Sequence, residues 1–169
     1  MSTAFIHLRT FCPEDWLVVK AIYESGIATG QATFQTQSPD WENWEAGHLT
    51  HSRLVAVTAE GIVVGWAALS PVSSRAVYRG VAEVSVYVEE EFRGKKVGQH
   101  LLEGLISASE SHGIWTLQAS IFPENGASIH IHQKCGFRQV GYRERIAQLH
   151  GVWRNTVLLE RRSKMPTDG

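Results

Sequence analysis

The sequence predicts a single α/β (α+β) domain of about seven strands and four helices, and three observations predict it. Apolar residues switch along the chain between the two-residue period of strands and the three-to-four-residue period of helices. Two β-rich runs are split by Glu60-Gly61, a hairpin signal. A third run, Val84, Val86 and Val88, leads through Arg93-Gly94-Lys95-Lys96-Val97-Gly98 into an amphipathic stripe. With 169 residues, 43% hydrophobic and 20% charged, the chain can bury one ordinary core without metal or disulfide staples. One domain over residues 1–169 is expected, with its core at about 5–160 and a polar tail at 161–169.

Phe5, Ile6 and Leu8 read as the first strand, and Pro13-Glu14-Asp15 opens a helix with acidic residues at its positive end. Leu17, Ala21 and Ile22 recur at helical spacing there. After a loop over residues 26–36, Ser38-Pro39 reads as a cap with proline at the first helical position, starting a second helix that carries Trp41 and Trp44. These tryptophans and Trp66 belong to the core or a cleft wall rather than to a cofactor box. The runs 54–57 and 62–69 form antiparallel strands, and 84–88 alternates as a further strand. Leu101, Leu102, Leu105 and Ile106 make a helical stripe stopped by His112-Gly113. Residues 115–121 are strand-like, 125–134 form a short helix closed by Gly136, and 137–142 and 153–159 are the last two strands.

Composition excludes several functions. Sixteen Lys plus Arg against seventeen Asp plus Glu leave a net charge of -1, with no field to hold a nucleic acid. No apolar stretch approaches the roughly 20 residues that span a membrane, and no targeting signal is visible. Cys12 and Cys135 form no ligand cluster, and His130 and His132, two apart, do not share a helix face, so no metal is expected. A reduced, cytoplasmic protein fits best.

A strand, the hexad 93–98 and a helix gather free backbone N–H groups at the positive end of a helix dipole, where an anion can sit. A plain turn with solvated lysines is the alternative. The hexad is neither a Walker loop nor a dinucleotide fingerprint. It resembles the signature of the GNAT acetyltransferase superfamily: Gln or Arg, two residues, Gly, one residue, then Gly or Ala. Arg93 and Gly98 match its ends, while Lys96 stands where the family usually has glycine. The resemblance runs from about Phe5 to about Glu160 and is closest to the phosphinothricin and methionine sulfoximine acetyltransferase-like branch. It is carried by Ala32-Thr33-Phe34, by Arg75-Ala76-Val77-Tyr78 with 83–88, by the hexad with Leu101-Leu102, and by Glu124-Asn125-Gly126-Ala127-Ser128 through His132 to Gly136-Phe137.

The resemblance implies a mixed, mostly antiparallel sheet with a splayed central strand pair, acetyl-CoA as co-substrate, and homodimers. It implies that Val86, Tyr87 and Val88 pair with the pantetheine arm. Arg93, Gly94, Lys95, Lys96, Val97, Gly98 and Gln99 hold the pyrophosphate, and Asn125 and Ser128 hold the cofactor from across the cleft. A residue in the helical region need not be glycine, so Lys96 is expected to alter coenzyme affinity without abolishing it. Glu83 matches the general base, because an amine with a pKa of roughly 8 or more must lose a proton before it attacks a thioester. His132 would protonate the leaving thiolate or orient the cofactor, unless it is a satisfied core residue. Phe34, Arg75, Tyr78 and Glu83 would bind substrate, Arg75 clamping an acidic group, while Ser73 lacks the extra basic group of dedicated herbicide-detoxifying members.

The expected reaction is direct transfer of acetyl to the α-amino group of a small amino acid or analogue such as methionine sulfoximine, methionine sulfone or phosphinothricin. Two alternatives stay open: acetylation of a polyamine, aminoglycoside or protein N-terminus, and a coenzyme A-binding sensor without turnover.

Overall fold

The computed structural model describes residues 5–164. Seven strands form one mixed sheet in the order β1-β2-β3-β4-β5-β7-β6: β1 Ile6–Thr10, β2 Leu54–Thr58, β3 Val63–Pro71, β4 Val81–Val88, β5 Thr116–Ile121, β6 Arg138–Leu149 and β7 Val152–Arg162. All neighbours are antiparallel except β4 and β5. The helices are α1 Trp16–Ala28, α2 Trp41–Gly47, α3 Val97–Ser111 and α4 Gly126–Lys134. Element order and type are as the periodicity predicts.

Strand pairing puts alternate residues on opposite faces, and the two faces are filled by different chemistry. Ala67 and Leu69 of β3 share one face with Val84 of β4, and α3 lays Val97, Leu101, Leu102, Leu105 and Ile106 over it as an aliphatic core. Each such side chain taken out of water stabilises the fold by about 1.5–3 kcal/mol. On the other face Val55, Val57, Trp66 and Ala68 meet Val19 and Ile22 of α1 and Trp44 of α2. Tyr87 stacks there on Trp66 and Tyr23, with ring centroids 5.0 and 4.9 Å away. Gly26 is what lets α1 approach this stack, because a Cβ there would lie 2.7 Å from the Tyr87 ring.

Local details depart from the periodicity. Pro13–Asp15 is a separate 3-10 turn, and the phase change it introduces turns Leu17 and Ala21 to solvent, so Val19, Ile22 and Gly26 form the buried face of α1. The cap of α2 is Asp40, not Ser38: its carboxylate accepts from the Asn43 N–H at 2.9 Å, and the helix starts at Trp41. Strands β6 and β7 run much longer than their apolar cores and join at His150-Gly151, both at positive φ, as a two-residue turn requires. β7 continues to Arg162, into the stretch expected as a tail. Residues 165–169 of that stretch lie outside the described residues.

Candidate active site

Strand β4 builds the site through an asymmetry in its pairing. Along β3 it is registered over seven positions, from Gly65↔Val88 to Pro71↔Ala82. Along β5 only Val81↔Thr116, Ala82↔Leu117 and Glu83↔Gln118 pair, after which the strands diverge. The Glu89 N–H donates to the Val64 carbonyl at 2.8 Å, so the alternation of an antiparallel ladder turns the N–H and C=O of Val86 and Val88 to the side that β5 has left. A sheet edge in this state offers a hydrogen-bonding ladder to an extended ligand.

The gap opens a cleft of about 480 Å³. It brings together Phe34, Glu83, Val86, Tyr87, Asn125, Ser128 and His132 among the residues the sequence singles out, with Trp44 in the wall. Glu83 is half-buried, and burial pushes its carboxyl above the usual glutamate range, held back by Ser120 and by the positive charge of Arg143. A carboxylate tuned upward is a better proton acceptor near neutral pH than an ordinary one.

His132 is buried, edge-on to Phe137, with Nδ1 2.7 Å from the Ser128 carbonyl. A carbonyl can only accept, so Nδ1 carries the proton, and burial lowers the pKa of the ring. A neutral imidazole whose single N–H is committed has no proton for a leaving thiolate; its Nε2 can accept a hydrogen bond and orient a ligand. Of the two roles expected of His132, this geometry suits the orienting one. Asn125 caps α4, its side-chain oxygen accepting from the Ser128 N–H at 3.2 Å while its Nδ2 donates to the Gln31 carbonyl at 3.3 Å. Its capping role and its place in the cleft therefore coexist.

The hexad lies where β4 hands over to α3. Among the described residues, the main-chain N–H groups of residues 94–99 donate to no protein acceptor, which makes a nest of free donors at the start of a 15-residue helix. These groups fit a pyrophosphate. The side chains contribute unevenly: Val97 is buried in the core, Gln99 is bound to Glu103, Lys95 sits 5.0 Å over the Phe92 ring, and Arg93 reaches back to the Val88 carbonyl. Lys96 is in the left-handed region, φ 65°, one residue before the helix. The expectation that this position is helical and indifferent to glycine is thus corrected; a lysine there carries backbone strain that glycine would not.

Arg75 and Tyr78 do not join the cleft. They flank an exposed 3-10 turn after β3, with the Arg75 guanidinium 5.6 Å over the Tyr78 ring. Within this one chain no substrate clamp is formed by Arg75.

Several site residues escape sequence reasoning because only strand register brings them there. Arg154 of β7 donates to the Gly30 carbonyl and to Gln31 Oε1, both at 3.1 Å, and lies 4.0 Å over the Phe122 ring, which Phe34 meets edge-on at 4.9 Å. It ties the loop between α1 and α2 across the cleft. Thr33 of that loop bonds the hydroxyls of Tyr23 and Tyr87, and burial raises both phenols. Period-two alternation in 152–158 is the one sequence signal that could have marked Arg154 as inward. Among the described residues no group of three or more His, Cys, Asp or Glu could hold a metal. No helix among them is long and apolar enough to cross a membrane.

A free N–H nest at a helix start, beside a splayed parallel strand pair, is the coenzyme-binding geometry of one acetyltransferase fold, and residues 19–137 match the model of the acetyltransferase (GNAT) family. The chain belongs to the GNAT acetyltransferase family. It is 31% identical over 147 residues to an L-methionine sulfoximine/L-methionine sulfone acetyltransferase of Pseudomonas aeruginosa, covering 84% of this chain and 86% of that one. It is likewise 31% identical over 160 residues to a phosphinothricin N-acetyltransferase of Alcaligenes faecalis, covering 91% and 81%. The crystal structure of a GNAT superfamily phosphinothricin acetyltransferase from Sinorhizobium meliloti in complex with AcCoA superimposes with a TM-score of 0.87 at 27% identity, covering 97% of this chain and 94% of that one. This GNAT protein is an N-acetyltransferase that uses acetyl-CoA.

Proposed function

We propose that this acetyltransferase acetylates the α-amino group of a small amino acid or analogue, of the methionine sulfone, methionine sulfoximine or phosphinothricin type, by direct transfer with Glu83 as general base. The feature that supports this most is a half-buried carboxylate with a raised pKa at the last paired position of β4, beside the free edge at Val86 and Val88. Acetyl-CoA supplies an activated thioester. The N–H groups of residues 94–99 bind its pyrophosphate, and those of Val86 and Val88 align its arm and polarise the carbonyl, a kind of donor worth roughly 3–4 kcal/mol in such reactions. Glu83 takes the proton from the attacking amine, directly or through water. The enzyme works as a cytoplasmic homodimer: the free thiols of Cys12 and Cys135 suit a reducing compartment, and Tyr142, Ile146, Val152 and Trp153 leave apolar surface on the β6–β7 hairpin to be covered.

Offered acetyl-CoA with a panel of amino acids, sulfoximines, polyamines and peptides, the enzyme should release thiol fastest with the small amino acids. Glu83→Gln should keep acetyl-CoA binding and slow transfer at least about tenfold near neutral pH. The acidic limb of kcat/KM, displaced upward by the raised pKa, should vanish with it. An unchanged rate would remove Glu83 from its role.

A further inference from the structure

Resting on the amino-acid reading above, the geometry points to Arg143 as the residue that binds the carboxylate of the substrate while Glu83 receives its amine. Strand register places the two on the same face of the sheet. Glu83 pairs with Gln118, Ser120 lies on the same face two residues on and pairs with Leu158, and Thr156, again two residues along, pairs with Arg143. Thr156 and Ser120 both line the cleft. Immediately after Arg143 the β6–β7 register shifts, and Arg145 takes positive φ with its N–H held by the Asn155 side chain at 2.8 Å. This bulge bends β6 and increases its twist at the point where Arg143 leaves the strand.

Among the described arginines, Arg143 and Arg145 are the two whose side chains make no hydrogen bond, ion pair or ring contact, and of the two only Arg143 has a charge that reaches Glu83. Arg9, Arg53, Arg138, Arg154 and Arg161 are each ion-paired, and Arg75 and Arg79 lie over aromatic rings. Among the described residues the Arg143 side chain has no hydrogen bond or ion pair, yet its charge reaches Glu83 and holds that carboxyl back. An amino acid carries an amine and a carboxylate on one carbon, so a base and an unpaired guanidinium on one face of the sheet, with Ser120 and Thr156 of the cleft between them, match its two ends in sign. Arginine suits this part because its planar fork can take a carboxylate through two parallel hydrogen bonds. The position of Arg75 outside the cleft leaves the task open.

The experiment compares each accepted amino acid with its carboxamide, in the wild type, Arg143→Gln and Arg143→Lys. Arg143→Gln is expected to raise KM for the amino acid about tenfold or more while changing kcat and the carboxamide KM less than about twofold. Arg143→Lys should recover part of the loss, and acetyl-CoA affinity should be unchanged in both. If Arg143→Gln leaves the amino-acid KM alone, or raises both KM values equally, the assignment falls and the amino-acid reading stands. A wild type that acetylates amines but no amino acid overturns both.

Discussion

The two edges of β4 are made of the same strand and do opposite work. Toward β3 seven registered pairs sit between an aliphatic and an aromatic core. Toward β5 three pairs give way to an open ladder. The difference teaches that stability and reactivity are separated across the width of a single strand: one edge is satisfied by the protein itself, and the other is left for a ligand to satisfy.

Substitutions can test that separation, the largest effect coming from the closed edge. Leu69→Ala, at a fully buried site on β3, should cost about 2–5 kcal/mol in denaturant unfolding while the folded fraction keeps its KM values. A large change in KM instead would mean that the two edges are mechanically coupled. Gly26→Ala acts on the ring stack behind the open edge. Its methyl must displace Tyr87, which Tyr23 and Trp66 hold, so a cost of about 1–3 kcal/mol is expected together with a raised KM for the amine. Lys96→Gly has the smallest effect and the opposite sign. Relief of the left-handed lysine should stabilise the protein by about 1 kcal/mol, with coenzyme binding equal or tighter by calorimetry. Loss of binding would make the ammonium a required phosphate ligand.

The same contrast gives a pH test. A carboxyl whose pKa is raised in the fold binds its proton more tightly there than in the unfolded chain, so ionising it costs stability as pH climbs past the folded value. Glu83→Gln should therefore raise Tm at mildly alkaline pH and leave it unchanged in acid. A Tm that falls at alkaline pH would show that the ionised carboxylate holds the two strands together.

The closed edge was readable from the sequence because its signals are local. Alternation at Val84, Val86 and Val88, the stripe of Leu101, Leu102, Leu105 and Ile106, and the hexad between them all act within a few residues. The phase of α1 was not readable, since a 3-10 turn of three residues ahead of it rotates Leu17 outward without changing the spacing. Glu83, Asn125 and Ser128 were found through resemblance, and the cleft contains them. Arg154 and Ser120 were missed, and the shared face of Glu83 and Arg143 was not visible, because these placements depend on the pairing of β5, β6 and β7, which no short window encodes. Arg75 shows the converse: its neighbourhood in sequence matches the family, while its turn leaves it outside the cleft of this chain.

The strap from Arg154 to Gly30 joins residues 124 positions apart. The loop that carries Phe34 is therefore fastened in stages along the chain, by Tyr23 and Tyr87 through Thr33, by Asn125 through Gln31, and last of all by Arg154. Contacts this distant are also late to form in refolding, because loop closure comes before the reward. The strand that brings Arg154 also brings Val157 and Leu159 to the aliphatic layer, so the last fastening of the pocket and the closing of that layer are one event.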